Sequence, residues 1–264
     1  MRSLVDDTGR EVVVPDDVTR VVSIVPSLTE SVAATAAGLL VAATDWCTHP
    51  ADLDVVRVRG TKNPDVARIV DLTPDLVLAN AEENRDPDLD LLRAAGVAVW
   101  VTDIRTVSGA HPALGPAGSL ARMLDACGLV RPGWLDEADA AWAAARPATP
   151  RRRALVPIWR RPWMAVGRDT FTGDVLARLG VDNALADDPE RYPKVDLDGL
   201  AGRAGGFDLV VLPDEPYLFT ADDGPEAFPG VESVLVPGRL LTWYGPSLVE
   251  AARELPGLLG AAGR

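Results

Sequence analysis

The sequence predicts an α/β protein with two lobes, each built on a parallel sheet, joined by one long helix. Short, nearly continuous apolar runs alternate with helical segments in both halves of the chain, which is typical of buried parallel strands. A capped helix followed by the pattern x-Asp-Leu-Val occurs once in each half, at Asp75 and at Asp208. The 264 residues suit roughly two domains. We therefore expect lobes over 1–128 and 150–264, with the connecting helix within 129–149.

The connecting helix is predicted over residues 132–146. Pro132 suits the first turn, and Asp136 and Glu137 lie early, where the helix dipole favours acidic side chains. Apolar residues then recur on one face with the 3.6-residue period. Pro147 ends the pattern. A helix of this kind between two lobes implies a cleft for a ligand.

Composition excludes several classes of partner. The chain has 39 acidic and 26 basic residues, a net charge of −13, which repels nucleic acid and anionic membranes. With 47% hydrophobic and 25% charged residues, it is an ordinary globular sequence. Its two cysteines, Cys47 and Cys127, are too few for a disulfide framework, and their pairing stays open.

The sequence gives two alternatives for location. No apolar run approaches the ~20 residues of a membrane span. The first residues also lack the basic-then-apolar order of a signal peptide. We therefore expect either a mature, trimmed form or a protein that stays in the cytoplasm.

The first half begins with a hairpin predicted over 4–14, where residues alternate around an Asp-Thr-Gly turn. A buried strand follows over 21–25. Ser27 and Glu30 have the S-x-x-E spacing of a capping box, so a helix should begin directly after that strand. A tight strand-to-helix turn presents free N–H groups at the carboxyl edge of a sheet, where open α/β folds bind ligands. A plain turn without a ligand is the alternative.

The loop over 44–50, after a second strand, contains Trp46, Cys47 and His49. Trp46 is a candidate for stacking on a ligand, with simple core packing as the alternative. Cys47 and His49 are potential metal ligands, but two ligands do not make a site, and the other histidine, His111, is distant in sequence. We expect no metal site built by the protein, with His49 as a weak candidate.

A helix is then expected with Asn63 as N-cap and Pro64 in its first turn. The strand over 73–80 that follows leads into an acidic loop containing Glu82 and Glu83. We expect this loop to face the cleft, although a solvated loop is an equal alternative. The remaining predicted elements are helices at 89–95, 116–128, 170–179, 197–201 and 246–259, and strands at 97–101, 154–159, 207–212 and 239–244.

Aromatic residues are placed mainly at predicted strand ends or in loops rather than on helix stripes. Six side chains in such positions favour a broad, flat, partly apolar ligand held by stacking. These residues are Trp46, Trp159, Trp163, Tyr192, Trp243 and Tyr244.

The sequence does not predict an enzyme. It contains no G-x-G-x-x-G after the first strand, no G-x-x-x-x-G-K-[ST] and no G-x-S-x-G motif. With only two histidines and no evident nucleophile beside them, an acid–base or nucleophilic site is hard to assemble.

Residues 20–30, 44–50, 60–65 and 73–78 together resemble the class III periplasmic-type binding proteins, also called helical backbone metal receptors. The cobalamin-binding proteins of ABC importers are the nearest branch, and the resemblance covers about residues 4–259. It implies two Rossmann-like lobes joined by a single long backbone helix, and an extracytoplasmic protein that passes cobalamin or another metal chelate to an ABC permease dimer. It also implies no intrinsic cofactor. We expect a monomer, because no surplus apolar helix stripe remains.

The resemblance assigns roles to individual residues. Trp46, Trp163 and Tyr192 match the stacking aromatics of the cobalamin pocket. The last loop of that pocket is matched by Thr242, Trp243 and Tyr244. The expected ligand-binding set also includes Ser27, Glu82 and Glu83.

Docking to the permease is implied for one acidic residue in each lobe. Asp198 matches the position in the second lobe. The first-lobe position is Ala67, with Asp65 nearby but not equivalent. Symmetric docking is therefore not predicted.

Three alternatives to cobalamin capture by an importer stay open. A ferric siderophore would need cationic residues, which Arg85, Arg160, Arg161 and Arg168 can supply. A cytoplasmic corrinoid- or tetrapyrrole-binding protein would have no transporter. An enzyme of that class would need Glu82 or Glu83 to act with His49.

Overall fold

The computed structural model describes residues 1–107, 116–200 and 206–261. His111 lies outside the described residues. The chain forms two compact units. Unit 1 comprises Met1–Ile104, Ser108–Glu137 and Tyr244–Pro246, and unit 2 comprises Arg105–Val107, Ala138–Trp243 and Ser247–Arg264.

Unit 1 begins with the predicted hairpin, formed by β1 (Arg2–Val5) and β2 (Glu11–Val14) in antiparallel pairing. The Asp6 carboxylate closes the turn by accepting hydrogen bonds from the Thr8 and Arg10 main-chain N–H groups at 2.9 and 3.0 Å. This use of an aspartate side chain to hold the following turn is common. The hairpin prediction is confirmed.

A five-stranded parallel sheet forms the centre of unit 1, in the order β5-β4-β3-β8-β9. Its buried side chains pack on those of the flanking helices, including Ile69, Leu89 and Leu92, which are 0 to 1% exposed. The strands are β3 (Val21–Ser23), β4 (Leu40–Ala43), β5 (Val56–Arg57), β8 (Leu76–Asn80) and β9 (Val99–Thr102), and the small antiparallel pair beside them is β6 (Arg59–Gly60) and β7 (Asn63–Pro64). The helices are α1 (Pro26–Ala36), α2 (Val66–Asp71), α3 (Asp86–Ala94) and α4 (Pro116–Ala126), with a 3-10 turn at Ala37–Leu39.

Helix α1 begins directly after β3, but the predicted capping box is wrong. Val25 is the N-cap and Pro26 occupies the first turn, without a side-chain cap. Proline suits that position because its missing N–H is not needed there. Ser27 therefore lies inside the helix rather than at its N-cap, and Glu30 does not complete a box.

The start of α2 also differs from the prediction. Asn63 and Pro64 form β7, and Gly60 pairs with Asn63. The helix starts later, with the Asp65 carboxylate accepting a hydrogen bond from the Arg68 N–H at 3.2 Å. Asp65, and not Asn63, is the N-cap, because strand pairing takes Asn63 out of the helix.

The predicted connecting helix is α5 (Gly133–Ala144), slightly shorter at both ends than the predicted 132–146. The division between the units falls within it, after Glu137. Within unit 2, Ala138 and Trp142 are each 2% exposed. The Trp142 indole N–H donates to the Leu248 carbonyl at 3.0 Å.

Unit 2 contains a four-stranded parallel sheet in the order β13-β10-β14-β15. The predicted strand over 154–159 is divided into β10 and one strand of an antiparallel hairpin, β11-β12. The strands are β10 (Arg152–Leu155), β11 (Pro157–Arg160), β12 (Trp163–Ala165), β13 (Val181–Asn183), β14 (Leu209–Pro213) and β15 (Glu232–Val236). The helices are α6 (Phe171–Arg178), α7 (Leu197–Leu200), α8 (Gly238–Thr242) and α9 (Ser247–Ala261), with a 3-10 turn at Pro225–Ala227.

The predicted strand over 239–244 is wrong. Most of it is helix α8, and β15 supplies the last strand. The Asp214 carboxylate accepts a hydrogen bond from the Gly238 N–H at 2.6 Å, at the first residue of α8. Leu240 and Leu241 are 2 and 0% exposed. A buried helix this short has the same apolar signature as a strand.

The parallel sheets predicted for both halves are confirmed. None of the helices in the described part of the chain combines the length and the apolar character that crossing a membrane would require.

Candidate ligand-binding site

Both sheets have a topological switch point beside their first strand. In unit 1, β4 lies on one side of β3 and β8 on the other, and in unit 2, β13 and β14 flank β10 in the same way. Open α/β sheets bind ligands outside the carboxyl ends of the strands at such points. In unit 1 this position is occupied by Ser27, Glu82 and Glu83, three of the residues predicted from the sequence.

Two asparagines hold the acidic loop after β8. The Asn84 side chain accepts from the Asn80 N–H at 2.9 Å and donates to the carbonyls of Ile24 and Thr61 at 3.2 and 2.9 Å. The Asn80 side chain accepts from the Glu82 N–H at 2.8 Å. The loop is therefore fixed to the ends of both β3 and β8. Neither asparagine was predicted as a site residue, because an amide at the end of a strand or in a loop carries no distinctive sequence signal.

Tyr244 belongs to unit 1 and contacts the same loop. Its hydroxyl donates to the Glu83 carboxylate at 3.2 Å, and the residue is 5% exposed. Burial raises the pKa of the Tyr244 phenol well above its ordinary value, and the Glu83 charge raises it further, while the nearby Ser27 hydroxyl acts in the opposite direction. Tyr244 is thus a neutral hydrogen-bond donor, and the structure brings Ser27, Glu83 and Tyr244 together.

Trp46 is 66% exposed and lies in the loop after β4. The Arg57 guanidinium anchors this loop by donating to the carbonyls of Thr44 and Cys47 at 3.0 and 2.9 Å. A Cβ on Gly60 would lie 3.2 Å from the Trp46 indole nitrogen. The large exposed ring is therefore presented by a well-anchored loop. The sequence did not indicate the role of Arg57, since its contacts depend on the folded loop.

Cys47 and His49 do not form a metal site together. The Cys47 sulfur is fully buried and accepts a hydrogen bond from the Thr29 hydroxyl at 3.0 Å, and burial raises the pKa of its thiol. His49 is exposed, with its Nδ1 atom 3.1 Å from the Thr48 hydroxyl. Among the described residues, no group of three or more His, Cys, Asp or Glu side chains is arranged to hold a metal ion.

The two predicted docking residues have different surroundings. Besides capping α2, the Asp65 carboxylate lies 3.4 Å from the Arg59 guanidinium. Ala67, on the first turn of α2, is exposed. Asp198 lies in α7, and its side chain is outside the described part of the structure.

Trp163 lies in an aromatic cluster of unit 2. Its ring stacks on Phe219 with a centroid separation of 6.0 Å and meets Phe228 edge-on at 5.5 Å. The Arg160 guanidinium lies 5.3 Å from the Trp163 ring centroid and also pairs with Asp223 and Glu226. The half-buried Trp163 ring is therefore surrounded by neighbours of its own unit.

The other predicted residues of unit 2 are more scattered. Tyr192 is half-buried in the loop before α7, and Thr242 donates its hydroxyl hydrogen to the Gly238 carbonyl at 2.9 Å. Trp243 is 6% exposed, so it is a buried residue rather than the exposed end of a strand. Its indole N–H donates to the carboxylate of Glu215.

Glu215 follows β14 at the switch point of unit 2 and was not predicted. Burial raises the pKa of its carboxyl group, and the neighbouring Asp214 charge acts in the same direction. The internal repeat contains the signal that could have found it. Glu215 follows Asp208 by seven positions, as Glu82 follows Asp75.

Most of the arginines considered for an anionic chelate are in ion pairs. Arg85 pairs with Asp88 at 2.9 Å, Arg168 lies 3.8 Å from Asp169, and Arg160 is paired as described above. Arg161 is exposed and pairs with none of the residues in the described ranges.

No family model matches this sequence. A relative by sequence is the uncharacterized ABC transporter substrate-binding lipoprotein YvrC of Bacillus subtilis (strain 168). It is 28% identical, over 95% of this chain and 82% of the relative.

Similar solved structures extend over nearly the whole chain. The periplasmic heme-binding protein RhuT from Roseiflexus sp. RS-1 has a TM-score of 0.74 at 20% identity, covering 94% of this chain and 100% of that one. The periplasmic heme-binding protein BhuT, in complex with two hemes, has a TM-score of 0.72 at 25% identity, covering 92% and 98%. The vitamin B12 binding protein BtuF of Vibrio cholerae has a TM-score of 0.66 at 19% identity, covering 94% and 98%.

These similar proteins are named as binding proteins and not as enzymes, as the sequence predicts for this chain. Their two-lobe fold matches the predicted one. The comparisons bear out the resemblance recognised in the sequence: the chain is similar to periplasmic substrate-binding proteins of ABC importers and has their fold.

Proposed function

We propose that this substrate-binding protein captures a corrinoid such as cobalamin and delivers it to an ABC importer. The observation that carries the proposal is Trp46, a 66% exposed ring on an anchored loop at the carboxyl edge of the unit 1 sheet. An exposed indole suits stacking on a flat, partly apolar macrocycle. The other contacts expected in the binding set are Ser27, Glu82, Glu83, Trp163, Tyr192, Thr242, Trp243 and Tyr244.

The charge at the unit 1 switch point supports a corrinoid over an anionic chelate. Glu82 and Glu83 place two carboxylates there, and both are half-buried. Carboxylates accept hydrogen bonds from primary amides, which surround the corrin ring, whereas they repel the carboxylates of heme and of many ferric siderophores. Three of the four arginines that would favour those anions are in ion pairs within their own units.

Delivery to a permease is supported by the naming of YvrC as an ABC transporter substrate-binding lipoprotein. We propose that an ABC permease dimer is the partner, with Asp198 as the docking residue of the second lobe. In the first lobe Asp65 is the acidic candidate. Its carboxylate caps α2 and lies 3.4 Å from Arg59, so docking through Asp65 would compete with that ion pair.

Heme or a ferric chelate is the second candidate ligand. Two structural neighbours with TM-scores of 0.74 and 0.72 are named heme-binding proteins. Arg161, exposed in unit 2, is the residue that favours an anionic ligand. This candidate shares the proposed role in uptake and differs in the chemistry of the ligand.

Calorimetric titration with cyanocobalamin, hydroxocobalamin, hemin and a panel of ferric siderophores separates these candidates. We expect saturable one-to-one binding of the cobalamins, weakened about tenfold or more by Trp46→Ala, the loss expected of a central aromatic contact. The matched control is Leu91→Ala, since Leu91 is an exposed apolar residue of the same unit, on α3. Binding of a ferric chelate without cobalamin binding would establish the second candidate instead.

A further inference from the structure

The β6-β7 hairpin of unit 1 carries a cation at its turn. Thr61 and Lys62 connect the two strands, and Lys62 is exposed. The hairpin is joined to the loop that presents Trp46, because the Asp45 N–H donates to the Arg59 carbonyl at 2.8 Å. Lys62 therefore lies on a turn attached to that loop, at the carboxyl edge of the unit 1 sheet.

The same turn is also joined to the acidic loop after β8. The Lys62 ammonium donates to the Glu82 main-chain carbonyl at 2.6 Å, and the Asn84 amide donates to the Thr61 carbonyl at 2.9 Å. A lysine ammonium has three N–H donors. Among the described residues the bond to Glu82 is its one polar contact, so two donors are open to solvent or to a ligand.

The other cations of the neighbouring segments have partners. Arg57 donates to main-chain carbonyls, and Arg59 and Arg85 lie 3.4 and 2.9 Å from carboxylates. Lys62, by contrast, makes no ion pair with any carboxylate in the described ranges. Its charge is therefore available to an anionic group of a ligand.

Cobalamin carries one anionic group, which suits a single ammonium. Neutral amides surround its corrin ring, and a phosphodiester in its nucleotide loop leads to the ribose and the benzimidazole. Lysine binds phosphate as a compact point charge. Lys62 is held beside the loop of Glu82 and Glu83, so a ligand with many amides and one anionic group matches the charges of this edge.

We propose that Lys62 binds the phosphodiester of the corrinoid's nucleotide loop. Lys62 would then make the protein favour cobalamin over cobinamide, the corrinoid that lacks the phosphate, the ribose and the benzimidazole. The proposal rests on corrinoid binding as the proposed function, and the residues that carry it all belong to unit 1. It adds a specificity-determining residue to the contacts assigned above.

Calorimetric titration with cyanocobalamin and dicyanocobinamide tests the proposal. We expect Lys62→Met to weaken cyanocobalamin binding about fivefold, the upper end for an exposed charge pair, and to leave dicyanocobinamide binding unchanged. Lys62→Arg keeps the charge and should keep most of the affinity for cyanocobalamin. Arg68→Met is the matched control, because it removes an exposed positive charge from the same unit.

Phosphorus NMR gives a second measurement. The phosphorus resonance of cyanocobalamin at saturation should differ between the wild-type complex and the Lys62→Met complex, because the ammonium is lost from beside the phosphate. Arg68→Met should leave that resonance where it is in the wild-type complex.

The outcomes separate this inference from the proposed function. Equal losses of affinity for both corrinoids in Lys62→Met would assign Lys62 to holding the acidic loop and overturn the phosphate contact, and unchanged affinity for both would overturn it as well. In either case corrinoid binding stands. Wild-type protein that binds neither corrinoid overturns both. If Lys62→Met does not fold, Lys62→Gln, which keeps a donor for the Glu82 carbonyl, takes its place with the same expectation.

Discussion

The Tyr244 hydroxyl donates a hydrogen bond to the Glu83 carboxylate at 3.2 Å, with the tyrosine 5% exposed. This bond joins the segment after α8 to the acidic loop after β8 within unit 1. Gly245 makes the approach possible, since a Cβ there would lie 2.7 Å from the Ser31 hydroxyl oxygen.

Replacing Tyr244 by Phe should therefore lower the free energy of unfolding by about 1 kcal/mol, the usual net value of one buried hydrogen bond. Urea denaturation followed by circular dichroism measures the change. Glu83→Gln keeps an acceptor oxygen for the phenol and should lose less. Equal stability of Tyr244→Phe and wild type would contradict the importance of this bond.

Arg57→Met should weaken ligand binding through the loop that presents Trp46. The guanidinium donates to the carbonyls of Thr44, Cys47 and Leu53, and methionine keeps much of the bulk without those donors. Because the effect acts through Trp46, a double-mutant cycle with Trp46→Ala should show coupling of about 0.5 to 3 kcal/mol.

Arg68→Met is the control for this prediction, since Arg68 is exposed in the same unit. Additive losses in affinity for the Arg57 and Trp46 variants would show that Arg57 does not position the ring. The thermal unfolding of each variant, measured without ligand, separates loss of the loop anchor from general destabilisation.

Cys127 should make the folded protein less stable in alkaline solution. Burial raises the pKa of its thiol to about 12, so the folded state keeps a proton that the unfolded state releases above its own pKa. Stability therefore falls as pH rises from the unfolded pKa towards the folded one. Between pH 7 and 10 the loss should be about 1 to 2 kcal/mol.

Chemical denaturation at several pH values tests this expectation, and Cys127→Ala should remove that part of the slope. Cys47, whose thiol pKa is also raised, contributes with the same sign. Fast labelling of native Cys127 by a thiol reagent at pH 8 would be incompatible with its burial.

Glu215 and Glu226 should affect the pH dependence of stability in opposite directions. Burial raises the pKa of the Glu215 carboxyl group, so the folded state favours its protonated form. Stability therefore falls as pH rises from the pKa of glutamate in the unfolded chain through the pKa of Glu215 in the folded protein. The pKa of Glu226 is lowered mainly by the hydrogen bond from the Gly224 N–H, and next by the hydrogen bond from Arg160. Stability is therefore lost as pH falls through the pKa of Glu226 in the folded protein.

Comparing Glu215→Gln with Glu226→Gln from pH 3 to 7 measures both effects. The first variant should gain stability relative to wild type as pH rises, and the second should lose it. The same slope in both variants would show that the surroundings of the two carboxyl groups are not as described.

Local patterns were sufficient to predict much of this fold. The Asp-Thr-Gly turn predicted the β1-β2 hairpin, and the 3.6-residue apolar period predicted α5. Apolar runs could not distinguish α8 from a strand, because Leu240 and Leu241 are buried in either case. Whether Asn63 or Asp65 caps α2 depended on β6-β7 pairing, which leaves little trace in sequence.

The candidate site was predictable only where strand ends carry distinctive residues. Trp46, Glu82 and Glu83 follow strands directly, and the structure places them at the expected edge of the unit 1 sheet. The supporting contacts of Arg57, Asn80 and Asn84 form between segments distant in sequence. No spacing rule indicates such contacts, so they required the structure.

Unit 1 is not a continuous piece of the chain. Tyr244, Gly245 and Pro246 belong to it, although more than a hundred residues separate them from Glu137. During synthesis the ribosome must therefore produce the chain through Pro246 before the first lobe has all of its own parts. A fragment ending before Tyr244 would leave Glu83 without its phenol partner, so the amino-terminal half should be a poor candidate for expression as an autonomous domain.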